Sequence, residues 1–228
     1  MKRSMITFLM PALNEEAGIV AAIQTVPVHA CTNAGYDVEI LIVDGHSTDR
    51  TASLAQQAGA RVIASERGYG RQYQAGFRAA KGDIIVTGDS DGTYPFEDSL
   101  HYIKALTHQQ LDFITVNRFA RMEPGAMHFS NRVGNFGLTL WANILFFLAL
   151  RDSQSGMWII RKAALSQIHP RFTGMPFSQE LKIEAFRKLR SKELPGSYKR
   201  RYGETKLLKF KDGFGNLFAL FKQRFAYH

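Results

Sequence analysis

The sequence predicts an α/β protein of the doubly wound class, and three observations carry that prediction. Short apolar runs, Met5–Met10, Val38–Val43, Asp83–Thr87 and Asp112–Val116, recur along the first half of the chain. Segments with helical periodicity separate them, the order required by a mostly parallel sheet with helices on both faces. Each run also stops on a polar cluster: Pro11–Glu15, Asp44–Asp49, Asp89–Asp91 and Asn117-Arg118. In open sheets of this kind ligands bind beyond the carboxyl ends of the strands, so four such clusters on one edge mark a site.

Met5–Met10 reads as a buried strand ended by Pro11. Glu15 to Thr25 carries a helical pattern with Asn14 as its N-cap. Val38–Val43 is the second strand and stops at Asp44 and Gly45. Ser47-Thr48-Asp49 opens a helix running to about Ala58, which Gly59 closes. Arg61–Ala64 is a short strand, after which Gly68 and Gly70 lead into a helix ending near Lys81-Gly82. Asp83–Thr87 ends on Gly88-Asp89-Ser90-Asp91-Gly92, whose two glycines are expected to let a bulky ligand approach the backbone. Pro95 and Phe96 start the next helix, and Asp112–Val116 is a further strand.

From Val133 to Leu150 there is no charged residue, and Arg132 and Arg151 bracket the run. That length is at the lower edge of a spanning helix. Asn135, Asn143, Gly134 and Gly137 argue instead for a helix packed on the domain, with lipid contact at most along its side. Near the end, Leu207, Phe210, Phe214, Leu217, Phe221 and Phe225 recur every three or four residues among lysines and arginines. This is an amphipathic helix suited to a membrane interface, or to packing on its own domain or on another subunit.

A chain of 228 residues with 45% hydrophobic and 21% charged residues buries an ordinary globular core. Its net charge of +9 is concentrated between Arg187 and Arg224, where twelve Lys/Arg face only Glu193, Glu204 and Asp212. Such a block favours anionic partners: phosphates, an acidic membrane surface or nucleic acid. No nucleic-acid-binding motif accompanies it, so nucleic acid is not expected. Cys31 is the lone cysteine, which fits a reducing compartment.

Asp89 and Asp91 lie two residues apart where the chain turns off a buried strand, so both carboxylates reach one hard cation. Oxygen ligands suit Mg²⁺ or Mn²⁺, which bridge to substrate phosphates. Neither G-x-x-x-x-G-K-[ST] nor a G-x-G-x-x-G after the first strand is present, which excludes a P-loop kinase and a standard dinucleotide oxidoreductase.

PALNEE, VDGHSTDRT, GYGRQYQAGFRAAKGD, GDSDGTYP, DSQSG and RYGETKL, in this order, resemble the family 2 glycosyltransferases. The nearest branch is that of the dolichyl-phosphate mannose synthases and bacterial polyprenyl-phosphate glycosyltransferases. The resemblance runs from about Ile6 to Leu207 and implies a Rossmann-like, A-type glycosyltransferase fold. It implies one domain, with residues 1–118 as the nucleotide-sugar half, 119–206 as the acceptor half and 207–228 as an amphipathic segment. By the same resemblance Pro11, Leu13 and Glu15 contact the nucleotide, Asp44 reads the base, and Asp89 and Asp91 bind the metal. Arg118 faces the donor phosphates, Arg200 and Lys206 close over the pyrophosphate, and Arg132 lies near an acceptor phosphate. Glu180 falls where related enzymes keep an acid near the acceptor, a candidate general base.

The implied reaction is inverting transfer from a UDP- or GDP-linked sugar, with Asp91, Arg118 and Glu180 as the catalytic set. The expected acceptor is a polyprenyl phosphate at the cytoplasmic membrane face, since the nearby Arg and Lys suit a phosphate. The alternative is a soluble transferase acting on a hydroxyl of a small molecule or glycan, with Glu180 as base. A non-catalytic nucleotide-sugar-binding module is disfavoured, because Asp89, Asp91, Arg118, Arg200 and Lys206 are all present. Three positions depart from the family pattern: Gly45-His46 stands for Asp-Gly, Met157-Trp158 for Phe-Arg, and Arg71 for a small residue.

Overall fold

The computed structural model describes residues 3–202 and 209–226. Seven strands form one sheet in the order β3-β2-β1-β4-β6-β5-β7. They are β1 (Met5–Ala12), β2 (Asp37–Asp44), β3 (Arg61–Ala64), β4 (Ile84–Thr87), β5 (Phe113–Met122), β6 (Trp158–Arg161) and β7 (Ser191–Tyr198). All pairs are parallel except those of β6, which runs antiparallel between β4 and β5. The doubly wound expectation therefore holds with one reversed strand inserted.

Both faces of the sheet are buried, which is why its strands read as continuous apolar runs rather than alternating ones. Ile6, Phe8 and Met10 face one core with Ile19, Ile23, Ile103 and Leu106. Leu9 points the other way, against Tyr73, Phe77, Trp158, Phe177 and Leu181. The period of two along β1 thus divides one apolar segment between two cores. Phe177 stacks on Tyr73 at 5.9 Å between centroids. Met157 and Trp158 are buried too, so that departure from the family pattern is one of core packing.

The helices are α1 (Ile19–Gln24), α2 (Val28–Asn33), α3 (Thr51–Gln57), α4 (Tyr69–Ala79), α5 (Ser99–His108), α6 (Phe129–Phe146), α7 (Pro176–Lys188) and α8 (Lys209–Ala226). The first begins later than its periodicity suggests. Asn14 is not its cap: it adopts φ +53 and its Oδ1 accepts the Thr48 N–H at 2.7 Å. The Glu15 N–H in turn donates to Thr51 Oγ1 at 2.7 Å. These bonds tie the loop after β1 to the loop after β2, so the two clusters form one rim.

The uncharged run is α6, whose Leu138, Ala142 and Phe146 pack with Ile183 of α7 and Leu220 of α8. Its outer side leaves Phe129, Val133, Phe136, Leu140 and Ile144 exposed. The C-terminal segment is helical despite Gly215 and turns Asn216, Ala219, Leu220 and Gln223 inward. Its inward side packs on the domain, while Phe218 and Phe225 stay exposed. Part of the basic block is paired internally: Lys188 with Glu184, Arg190 with Asp112, Lys199 with Glu97.

Candidate active site

β4 delivers the two aspartates to the carboxyl edge of the sheet, next to the end of β1. Asp89 is partly exposed and Asp91 is buried. Asp91 Oδ1 accepts the Thr93 N–H (3.0 Å) and O–H (2.6 Å), which aims Oδ2 outward. Arg201 Nη1 lies 3.2 Å from that Oδ2, and its Nη2 pairs with Glu15. One guanidinium thereby bridges the first loop and the aspartate loop.

Burial first, and the charge of Asp91 second, push the Asp89 carboxyl up to about 7. Two carboxylates this close hold excess negative charge that a cation relieves. Among the described residues there is no cluster of three or more His, Cys, Asp or Glu that could cage an ion. The donor set is two carboxylates, which fits a hard divalent cation whose other positions go to substrate oxygens and water.

The glycines around the pair make room for the protein's own rings. A Cβ on Gly88 would lie 2.6 Å from the Phe96 ring, and one on Gly92 (φ +79) 2.5 Å from the Tyr202 ring. The glycine that stands against the Asp89 carboxylate is Gly156, where a Cβ would stand 2.6 Å from Tyr69 Oη and 3.4 Å from Asp89 Oδ1.

Two cavities meet at this pair. One, of ≈ 320 Å³, is lined by Pro11, Leu13, Glu15, Gln72, Asp89 and Asp91, among others. The second, of ≈ 250 Å³, lies between the same aspartates and α6, with Arg118, His128, Asn131, Asn135, Gln154 and Asn216 in its wall. Asp89, Asp91, Tyr69, Met175 and Arg201 belong to both.

Asp44 stands at the end of β2 on the same rim. Its Oδ2 accepts the Ser47 N–H at 3.0 Å, while Oδ1 is buried without a partner. Arg118 is buried and held by Asp152: Nε and Nη2 donate to its two oxygens at 2.7 and 2.9 Å. Burial alone would raise the Asp152 carboxyl, but Arg118 outweighs it and holds the group below the usual carboxylate range.

Four expected residues, Asp44, Arg132, Glu180 and Arg200, line neither cavity. Arg200 turns to the rim, where its Nε donates to the Pro124 carbonyl at 2.8 Å; the adjacent Arg201 occupies the site. Arg132 is exposed on α6 and lines neither cavity, because a helix sends the residue after Asn131 about 100° round its axis. Glu180 is buried on α7, its Oε2 accepting the Arg171 and Phe172 N–H groups at 2.8 Å each. It lines neither cavity, so the geometry does not present it as a base. Lys206 lies outside the described residues.

Sequence reasoning also passed over Arg201, Asp152 and Lys182. The signal for Asp152 was its place in DSQSG. Lys182 is wholly buried under that loop, donating to the carbonyls of Ser155 (2.8 Å) and Asp152 (3.3 Å).

The model of one family, glycosyl transferase family 2, matches residues 7–168 of this sequence. The chain belongs to that family. Its relatives include the low-salt glycan biosynthesis hexosyltransferase Agl6 of Haloferax volcanii, 35% identical over 91% of this chain and 51% of that protein. This chain therefore spans about half the length of that relative. The dolichyl-phosphate hexose transferase of the same organism is 36% identical over 77% of this chain and 76% of its own length. Among solved structures, glucosyl-3-phosphoglycerate synthase from Mycobacterium tuberculosis shares the fold with a TM-score of 0.76 at 22% identity. That match covers 97% of this chain and 79% of the other, in a complex with Mn²⁺, UDP-glucose and phosphoglyceric acid.

These findings correct the expected acceptor and its setting. Two solved structures that this chain matches along 97% of its length hold a small molecule beside UDP-glucose, phosphoglyceric acid in one and glycerol 3-phosphate in the other, where a polyprenyl phosphate was expected. Among the described residues, no helix is long and apolar enough to cross a membrane. Among the described residues, Arg118 is paired with Asp152, and Arg132 and Arg200 are turned from the cleft, so the cations behind the lipid-phosphate expectation do not gather there. The peripheral placement at a membrane face is withdrawn with it.

Proposed function

We propose that this chain transfers a sugar, with inversion, from a UDP-linked donor to a hydroxyl of a small-molecule acceptor, using Mg²⁺ or Mn²⁺ at Asp89 and Asp91. The observation that carries the reading is the meeting of two cavities at those aspartates. A donor on the Pro11–Gln72 side and an acceptor on the α6 side approach the reacting carbon from opposite directions, as direct displacement requires. The fold shared with a synthase that holds Mn²⁺ and UDP-glucose supports the metal and the uridine donor.

Each part of the chain then has a task. Pro11, Leu13 and Glu15 form the wall against the nucleotide, and Asp44, at the end of β2 outside both cavities, has a buried Oδ1 left unpartnered for a hydrogen bond from the base. The divalent ion, when bound, neutralises charge developing on the departing diphosphate. Arg201, in the wall of both cavities, places its guanidinium beside the aspartates, and Arg118 lines the α6-side cavity only. The acceptor oxygen forms the new bond to the anomeric carbon as the carbon–phosphate oxygen bond breaks, and that electron pair leaves with the diphosphate.

The hydroxyl proton passes to His128. Among the described residues its imidazole makes no hydrogen bond and no cap to α6, and it lines the acceptor cavity. Residues 1–118 serve the nucleotide sugar and 119–206 the acceptor, with 207–228 as an amphipathic C-terminal segment. The buried thiol of Cys31 suits a cytoplasmic setting.

Incubation with a panel of UDP- and GDP-sugars and Mn²⁺, with released nucleoside diphosphate as the readout, tests the assignment. Release from a UDP-sugar is expected, and chelation or Asp91→Asn should abolish it. Turnover undiminished in Asp91→Asn overturns the assignment.

A further inference from the structure

We infer that the acceptor is an uncharged polyhydroxylated molecule, a sugar, glycoside or polyol, selected by the amides of α6, α8 and the loop after Asp152. The inference rests on the transferase reading above and narrows its acceptor.

The wall of the α6-side cavity decides between a neutral and an anionic guest. An anion drawn from water needs a cation not already neutralised, because desolvating it unpaired is costly. Among the described residues the wall holds two arginines, and both are engaged. Arg118 is locked on Asp152 through two guanidinium hydrogen bonds, and Arg201 bridges Glu15 and Asp91. Arg132, the cation expected to serve an acceptor phosphate, is on another face of α6. Among the described residues, His128 is the one further basic side chain of the wall.

Among the described residues, neutral hydrogen-bonding groups line the rest of the wall. Asn131 and Asn135 stand one turn apart on α6, facing the cavity. Across from them Gln154 and Asn216 form a braced pair. The Asn216 Nδ2 donates to Gln154 Oε1 at 3.2 Å, and Gln154 Nε2 donates to Gln179 at 2.6 Å and Ser153 at 2.7 Å. The chain ends on Asn216 Oδ1, a buried acceptor without a partner. A hydroxyl supplies the donor that this oxygen lacks, whereas ionised phosphate oxygens only accept. Amides read hydroxyl groups in both senses, donating through N–H and accepting through C=O.

The remaining wall suits the body of such a molecule. Tyr94, Tyr198 and Leu138 contribute aromatic and aliphatic surface beside the amides. A sugar ring carries C–H faces and an equatorial belt of hydroxyls, and a pocket with apolar walls and a few placed polar groups matches it.

A paired acceptor panel tests the inference, with a labelled UDP-sugar and Mn²⁺: glycerol against glycerol 3-phosphate, glucose against glucose 6-phosphate, and methyl glycosides. The neutral member of each pair is expected to give at least tenfold higher kcat/KM. The variant Asn135→Arg, which places an unpaired cation in the wall, should move that ratio toward the phosphorylated member by tenfold or more. Equal or better use of the phosphorylated members by the unaltered protein overturns the inference, as does an unmoved ratio in a folded Asn135→Arg. Donor binding measured by calorimetry with Mn²⁺ separates the two levels. Without donor binding the transferase reading itself fails; with donor bound but neither set accelerating its turnover, the acceptor inference alone fails.

Discussion

Asp152→Asn tests whether the buried Arg118–Asp152 pair is what builds the wall behind the aspartates. The side chain of Asp152 is wholly buried and that of Arg118 nearly so. The carboxylate accepts Arg118 N–H (3.1 Å), Nε (2.7 Å), Nη2 (2.9 Å) and Gln154 N–H (3.1 Å). Asparagine keeps the shape, removes the charge and turns one acceptor into a donor facing donors. Two hydrogen bonds to a charged group are lost, at about 1.5–3 kcal/mol each. Breaking one side of a buried pair costs about 3–5 kcal/mol, so both routes give the same expectation. Urea unfolding should show a loss of about 3–5 kcal/mol, with Asp112→Asn as control. That exposed pair, Asp112 with Arg190 at 3.2 Å, should cost less than about 1 kcal/mol. A loss in Asp152→Asn within 1 kcal/mol of the control would refute the reasoning.

Other outcomes follow from the same geometry. His128→Gln should lower kcat by roughly 10²–10⁴ while leaving the donor KM in place; a rate within threefold of the original would pass the proton elsewhere. Gly156→Ala, which crowds Tyr69 Oη and Asp89, should weaken Mn²⁺ binding by about tenfold or more in a metal titration. An unchanged titration would separate Gly156 from the metal position. Burial lowers the Lys182 ammonium from 10.5 to about 7. Between those values the unfolded chain binds the proton and the folded one does not, so this residue makes stability rise with pH from about 7 toward 10. Lys182→Met should flatten that rise in urea midpoints at pH 7 and 9, and parallel profiles for the two proteins would contradict it.

The strands that build the site were legible because each is an apolar run bounded by acids or glycine. The last two were not. β6 has only four residues, too few to show a period. β7 carries Pro195-Gly196 and stands at the sheet edge, where a missing N–H is tolerated but propensity reads as a turn.

Residue type proved easier to read than facing. In extended chain, neighbouring residues point to opposite sides, so Arg200 and Arg201 are equal in composition and opposite in placement. On α6 the difference between Asn131 and Arg132 is again a single step. On α7 every residue from Phe177 to Ala185 is buried. With no polar face to read, Glu180 gave no sign that its carboxylate holds the 171–172 backbone instead of the cleft. The Asp89–Asp91 pair escaped this ambiguity because two residues apart on a turning chain leave both carboxylates on one side.

Crystals soaked with Mn²⁺ and a UDP-sugar, read by anomalous scattering, test the central claim most directly. A manganese peak between Asp89 and Asp91, with the nucleotide along Pro11 and Leu13, is the expected result. An ion bound elsewhere, or a nucleotide in the α6-side cavity, would contradict it.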